Sequence, residues 1–464
     1  MAQHSQVIVD RVFNKISGIG KILVGFSGGI DSTVLLHALY LIRKQQLPLL
    51  EVRAIHIHHG LNRKANEWEQ HCAQLCLQWD IPFICRHVVV DSSQKGIEAA
   101  ARDARYQAYR EELQEGEVLV TAQHLDDQAE TFMLALKRGS GPAGLSSMPE
   151  QLTFSACCGS TSLLRPLLST PRIALEAYMQ EQQLSWVEDD SNQDDRYDRN
   201  FLRLNIMPVL TERWPHFSSA VARSAALCAE QETLLDELLK DTLDEMMDYR
   251  GGLFIDGLKA CSSAKRNALI RRWVGLHQLP MPPFNQLERI WQEVALARQD
   301  ADPICRLGQF EIRRYQDALW VVKRINSLAN QQFEWIYPEV FELPESLGIL
   351  HVMEGEGQIR PPFSHENVTV RFGLQGTLNI VGRHRSRSSK KIWQELGVAP
   401  WMRERVPLIY YNDQLITAVG CFITPEGMVD EASLGIAIDW QKESEFKVLN
   451  QWEAPYDCDY HKGP

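Results

Sequence analysis

The stretch VGFSGGIDSTVLLHAL, Val24 to Leu39, decides the fold. An apolar run ends in two glycines, and an apolar-periodic segment starts directly behind them, which is the order strand, tight turn, helix. Gly28 and Gly29 let backbone N–H groups approach phosphate oxygens with no side chain between. The helix N-terminus behind them adds partial positive charge, and Ser27 and Ser32 add hydroxyl donors. The lysine of a Walker-type loop is missing. Asp31 stands at the helix start instead, a carboxylate where a triphosphate is expected. Ser27, Gly28, Gly29, Ile30, Asp31 and Ser32 are therefore the nucleotide-binding candidates, and Asp31 needs a reason for its charge.

Working outward, apolar and amphipathic segments alternate through the first 210 residues or so. ILVGF (22–26), VRAIHIH (52–58), FICRHVVV (83–90) and EVLVTA (117–122) read as strands. Helices follow near 31–43, 65–79, 96–113 and 126–137. Such β-α alternation predicts a parallel sheet with helices on both faces, whose ligands gather at the carboxyl ends of the strands. A loop rich in Gly, Ser and Pro is expected from Gly139 to about Ser162, then a helix over 171–183. Residues 216–248 are helical and acidic, with further helices near 263–276 and 284–298. Residues 306–324 alternate and turn like a β-hairpin. Residues 331–348 read as a linker, and 350–445 as short strands with one helix. The expected fold class is α/β: an N-terminal Rossmann-like parallel sheet (1–215), a mainly helical middle domain (216–330) and a small α+β C-terminal domain (350–445).

The bulk properties fit that plan. A chain of 464 residues exceeds what one core organises. Its start lacks the apolar run of a signal peptide, and no stretch is apolar enough to span a membrane, so a cytoplasmic location without a membrane partner is expected. Ten cysteines include no C-x-x-C pair, which speaks against a zinc site or a disulfide framework. A net charge of −12 argues against a DNA-coating protein, but a local basic patch can still bind RNA.

Three further strings carry chemistry. In GIEAAARDARY (96–106), Glu98, Arg102 and Arg105 share one helical face, and an arginine there can hold phosphate or RNA. In TAQHLDDQAET (121–131), His124 ends the fourth strand, Asp126 and Asp127 open a helix, and Asp127, Glu130 and Thr131 fall on one face. Helix capping accounts for one acid but not for the cluster. In EDDSNQDDRYDRNFLR (188–203), Arg196, Arg199 and Arg203 offer three guanidinium forks beside six acids, suited to orienting an RNA backbone. HIHHGLN (56–62) hints at a metal, but no acid or cysteine there completes a ligand set, so it reads as a loop beside the nucleotide. Between Arg383 and Arg405, seven basic residues face only Glu395 and Glu404, with His384, Trp393 and Trp401 among them. Arg383, Arg385, Arg387, Lys390 and Lys391 are the candidates for phosphate contact.

The SGGIDS string resembles the PP-loop of the ATP pyrophosphatases, which split ATP between the α and β phosphates. The resemblance implies that the loop holds pyrophosphate with Mg2+ nearby, and the ion would lie between Asp31 and the phosphates and remove their repulsion. The ordered set SGGIDS, EAAARDARY, TAQHLDDQAET…RGSGPAGL and DDSN…RN…R is more specific. Together with HRSRSSKKIWQELGVAPWMRERVPLI (384–409), it resembles the bacterial tRNA(Ile)-lysidine synthetases from the PP-loop to about residue 425. That resemblance implies ATP-dependent ligation of L-lysine to the wobble cytidine of tRNA(Ile) with anticodon CAU, through an adenylated cytidine. Asp127 and Glu130 would contact lysine, His124 and Asp126 would lie close to the transfer step, and Arg105 would meet phosphate or cytidine. Another PP-loop enzyme such as a tRNA thiolase, with Cys157 and Cys158 as its thiols, is the runner-up. A non-catalytic ATP-binding regulator is the reading from another class. Monomer and homodimer are both left open.

Overall fold

In the computed structural model, residues 3–90, 96–277, 279, 281–298, 301–383, 385–430 and 434–442 are described. The chain divides into two compact units, Met1–Leu235 and Asp236–Pro464.

The first unit is the expected α/β layer structure. Helix α1 (Gln3–Ile16) precedes β1 (Lys21–Gly25), α2 (Ile30–Gln45), β2 (Glu51–His58), α3 (Ala65–Gln78), β3 (Phe83–His87), α4 (Ile97–Glu112), β4 (Glu117–Val120) and α5 (Leu125–Lys137). A single turn α6 (Pro142–Leu145) leads to β5 (Gln151–Ala156), β6 (Gly159–Leu164) and α7 (Arg172–Glu181). The sheet order is β3-β2-β1-β4-β6-β5, parallel throughout except for the antiparallel edge strand β5.

Alternation along each strand divides the core. Ile22 and Val24 join α1, α2, α3 and α7 in one apolar cluster, whereas Leu23 joins Ala108 and Tyr109 of α4 and the following Leu113 in another. The two-sided burial explains why β1 reads as a continuous apolar run.

The loop expected over Gly139–Ser162 is only partly a loop. Residues 151–164 form the β5–β6 hairpin, with Leu119 and Val120 of β4 paired to Leu163 and Leu164 of β6. Polar and small residues hid it, because β5 is an edge strand with a single buried side chain, Phe154.

After α7 come α8 (Asp198–Phe201), one wide turn over 202–206, α9 (Met207–Arg213) and the long α10 (Phe217–Met246). In the second unit, an antiparallel four-stranded sheet (Leu253–Phe254, Ala318–Lys323, Phe310–Tyr315, Ile304–Leu307) packs with helix Ser263–Leu276 around Trp273. The expected hairpin is Phe310–Tyr315 with Ala318–Lys323.

The linker reading of 331–348 is corrected. Gln332–Glu334 pairs with Val368–Arg371, and Trp335, Leu343 and Leu347 are buried in the C-terminal core. The acidic and proline residues between them mask three core positions. Among the described residues of that region, the α-helix is Ser389–Glu395.

Candidate active site

The carboxyl edge of the sheet gathers the sequence candidates. β1 runs on through Phe26, whose N–H donates to Ile55 O at 2.8 Å, and the chain turns at Gly28 with φ of 82°. That φ already favours glycine. A Cβ there would also lie 2.7 Å from Cys72 Sγ and 2.9 Å from Val187 Cγ2. The turn is braced by hydroxyls. Ser27 Oγ lies 3.0 Å from Ser32 Oγ, and Ser32 Oγ donates to Gly29 O at 3.0 Å. Gly25 is tight for another reason: a Cβ would stand 2.6 Å from the hydroxyl of Tyr109, so α4 is seated hard against β1.

His124 sits where β4 gives way to α5 and caps that helix. Its Nδ1 accepts the Asp126 backbone N–H at 3.2 Å, while the His124 backbone N–H donates to Asp127 Oδ2 at 3.1 Å. The cap leaves the Nε2 side of the ring for the site. Nε2 lies 3.6 Å from Asp31 Oδ1 and 3.5 Å from Asp127 Oδ2. Asp31 Oδ1 and His124 Nε2 are both buried without a hydrogen-bond partner among the described residues. The Asp31 side chain as a whole keeps 30% exposure. Burial pushes the Asp31 carboxyl above the usual carboxylate range and Asp127 adds to this, while His124, Arg172 and Arg203 oppose it. A desolvated carboxylate oxygen with unused lone pairs is what a hard cation takes up, so Asp31 fits the Mg2+ expected there.

Behind this pair lies a second layer. Glu130 is buried, and Arg203 grips it bidentately, Nε to Oε1 at 2.7 Å and Nη2 to Oε2 at 2.9 Å. Arg199 adds Nε to Oε2 at 3.0 Å and reaches Thr131 Oγ1 at 3.0 Å. Arg203 also donates to Asp127 Oδ1 at 3.1 Å. Burial alone would raise the Asp127 carboxyl, but His124, Arg199 and Arg203 hold it below the usual range. Burial also works against the Arg203 charge, yet Glu130, Asp127 and Asp31 keep the guanidinium more firmly protonated than usual. Arg199 and Arg203 thus point at the pocket acids. Arg196 is exposed and forks onto Asp194.

Asp126 is occupied differently. Its Oδ2 caps α7 through the Arg172 N–H at 2.8 Å, and its Oδ1 accepts from Ser218 Oγ at 3.0 Å. Gln128, which the sequence did not single out, makes two bonds to the Met148 backbone and so ties the 139–150 segment to α5. The acidic stretch is anchored as well. Asn62 donates to Asp189 at 3.3 Å, and Lys64 pairs with Asp190 at 2.7 Å. The HIHHGLN loop and the 188–195 segment are thereby one wall. His59 Nδ1 is buried there without a hydrogen-bond partner among the described residues, and burial, followed by the Arg105 charge, pushes its pKa down to about 4. Arg105 and Glu98 lie on α4 as read, with Arg105 close enough to His59 and Tyr109 to shift both.

Two sequence readings change. Glu69 and His87, from α3 and β3, join His58, so an acid does complete a potential ligand set near HIHHGLN. Trp393 is core, and Trp401 packs on Tyr315, so neither aromatic lies open on the basic segment. Arg383 pairs with Glu395 and Arg405 is buried, whereas Arg385, Lys390 and Lys391 are exposed and Arg387 is partly so. His384 lies outside the described residues.

Residues 1–210 match the PP-loop domain family, 253–320 the TilS substrate binding domain and 368–440 the TilS substrate C-terminal domain. The chain is 57% identical to the tRNA(Ile)-lysidine synthase of Photorhabdus laumondii over 422 residues, 91% of this chain and 95% of that one. It is 56% identical to that of Proteus mirabilis over 438 residues, covering 94% and 98%. Against the Yersinia pseudotuberculosis enzyme it is 51% identical over 450 residues, covering 94% and 97%.

Proposed function

This chain belongs to the tRNA(Ile)-lysidine synthase family, and we propose that it ligates L-lysine to the wobble cytidine of tRNA(Ile) with anticodon CAU, using ATP. The observation that carries the reading is the apposition of Asp31, His124 and Asp127 at the end of a PP-loop strand, backed by the Arg203–Glu130 pair.

In the first step, the cytidine carbonyl oxygen attacks the α-phosphate of ATP and pyrophosphate leaves. The backbone N–H groups of the 27–32 turn and the α2 N-terminus receive the departing charge, while the Ser27 and Ser32 hydroxyls brace that turn. Asp31 would hold Mg2+, which neutralises phosphate charge there. The wall of His59 and Arg105 faces phosphate or cytidine.

In the second step, the lysine ε-amine attacks the activated ring carbon and AMP leaves. A free amine has a pKa of about 10.4, so it must lose a proton before attack. Asp127 is ionised and close to His124, which suits it to hold the lysine ammonium. Both Glu130 oxygens are taken by arginines, so Glu130 acts by holding Arg199 and Arg203 in place. Asp126, capping α7 and holding Ser218, keeps the start of α5 aligned. The product base pairs with A instead of G, and the tRNA changes from methionine to isoleucine identity.

The basic segment Arg383–Lys391 would position tRNA phosphates. The thiolase reading loses its thiols. Cys157 and Cys158 are exposed at the β5–β6 turn. β6 runs parallel to β4, so its start lies at the amino edge of the sheet, away from the PP-loop. The test is to incubate protein, ATP, Mg2+, labelled lysine and unmodified tRNA(Ile). Lysine label on the tRNA with AMP formed is expected. ATP bound without turnover would favour the regulator.

A further inference from the structure

We propose that His58, Glu69 and His87 form a binding site for a borderline divalent cation of the zinc type, apart from the Asp31 position. The site arises from strand register and one helix face. β2 and β3 are parallel, with His56 opposite Cys85 and His58 opposite His87. The His58 and His87 rings lie 4.3 Å apart between centroids, tilted by 31°. Helix α3 crosses the same sheet face, and Asn66 and Glu69, three residues apart, point to the two imidazoles. Glu69 Oε2 is 3.3 Å from His87 Nε2, and His58 Nε2 is 2.9 Å from Asn66 Oδ1. One ligand atom from each of His58, Glu69 and His87 lies within 4.8 Å of the other two.

The donor chemistry selects the ion. Two neutral imidazoles and one carboxylate suit zinc and its neighbours, whereas magnesium and calcium favour all-oxygen shells. In a tetrahedral zinc site with bonds of about 2.1 Å, ligand atoms stand about 3.4 Å apart. The Glu69–His87 pair already has that spacing, and small rotations bring in His58. Three protein ligands leave one position for water. Asn66, hydrogen-bonded to His58, orients that ring as the outer partners of metal-bound histidines do. The Cys85 Sγ is not among the ligand atoms that lie within 4.8 Å of one another, so it stays outside the ligand set.

The ion would tie the carboxyl ends of β2 and β3 to α3. That fixes the start of the 59–64 loop, which Asn62 and Lys64 fasten to Asp189 and Asp190. Its role is to hold one wall of the nucleotide pocket, with no part in the ligation chemistry.

The test uses the full chain, stripped with a chelator and kept in millimolar Mg2+ so that the oxygen-only positions are occupied. Co2+ should bind at one equivalent with visible d–d absorption and no thiolate band, be displaced by Zn2+, and raise the melting temperature by a few degrees. Glu69→Gln and His87→Ala should each weaken cobalt binding at least about tenfold. Neither should change the melting temperature of the metal-free protein, and Asp31→Asn should leave cobalt binding as it is. Absence of saturable cobalt absorption, equal affinity in the parent and both variants, or loss of the absorption with Asp31→Asn would each overturn the proposal.

Discussion

At the carboxyl edge of the sheet, charges face one another; along Arg385–Lys391, they face outward. The pocket sets Asp31, His124, Asp127, Glu130, Arg199 and Arg203 within a few ångströms, largely out of water. The basic segment leaves Arg385, Lys390 and Lys391 exposed, while the neighbouring Arg383 pairs with Glu395. In the pocket each charge is worth several kcal/mol, because a partner left alone there stays desolvated. On the exposed segment a charge matters through its sum with others and fades with salt. Single substitutions and pH therefore report on the first region, and charge count and ionic strength on the second.

The sharpest way to break this contrast is Asp31→Asn. The cytidine-adenylation rate should fall about a thousandfold or more, measured as pyrophosphate release with tRNA present. Because burial disfavours the ionised carboxyl, the variant's melting temperature should equal or exceed the parent's. The same shift sets a pH dependence. Asp31 must lose its proton to take a cation, so Mg2+-dependent adenylation in the parent should begin to fall, as pH decreases, above the usual carboxylate range.

Glu130→Gln comes next. It keeps the volume and removes the charge that two arginines share, which should cost about 3 kcal/mol of stability in denaturant unfolding. Activity should fall with it, because Arg203 also holds Asp127. A loss below 0.5 kcal/mol would place this pair with the surface charges and erase the contrast.

Lys390→Glu with Lys391→Glu probes the other side. Binding to tRNA(Ile) should weaken by about tenfold or more at moderate salt, and the slope of log K against log salt should drop by about 2. The melting temperature should stay within a degree or so of the parent's. Unchanged tRNA binding would remove these lysines from the interface.

The smallest effect concerns stability and pH. Burial holds His37 neutral, its pKa pushed down to about 4, and its Nδ1 lies 2.8 Å from the Tyr178 hydroxyl. An unfolded chain binds this proton near 6.5, so between those values the unfolded state carries more protons and stability falls as pH decreases. His37 alone should cost about 2 kcal/mol between pH 7 and pH 5. Unfolding of His37→Gln should show a shallower slope over that window.

Much of the first unit was legible because its strands are buried on both faces and its helices start at glycine or polar turns. The β5–β6 hairpin was not, since an edge strand with one buried phenylalanine looks like a loop. Trp335, Leu343 and Leu347 were missed because single core residues set among acids and prolines carry no period. In the pocket, residue types and spacing marked Asp31, His124, Asp127 and Glu130, since a helix face and a strand end are local facts. The pairing of Arg199 and Arg203 with Glu130 was hidden, because 69 and 73 residues separate the partners. The same holds for His58, Glu69 and His87, which the β2–β3 register and one face of α3 bring together.

The proposed order of events in the pocket is that cytidine is adenylated first and lysine then displaces AMP. Protein, unmodified tRNA(Ile), Mg2+ and ATP labelled at the α-phosphate, mixed without lysine, test it most directly. The label should appear on the tRNA, and added lysine should release it as AMP while one lysine enters per AMP released. Label found on the protein or on lysine, or none on the tRNA before lysine is added, would contradict it.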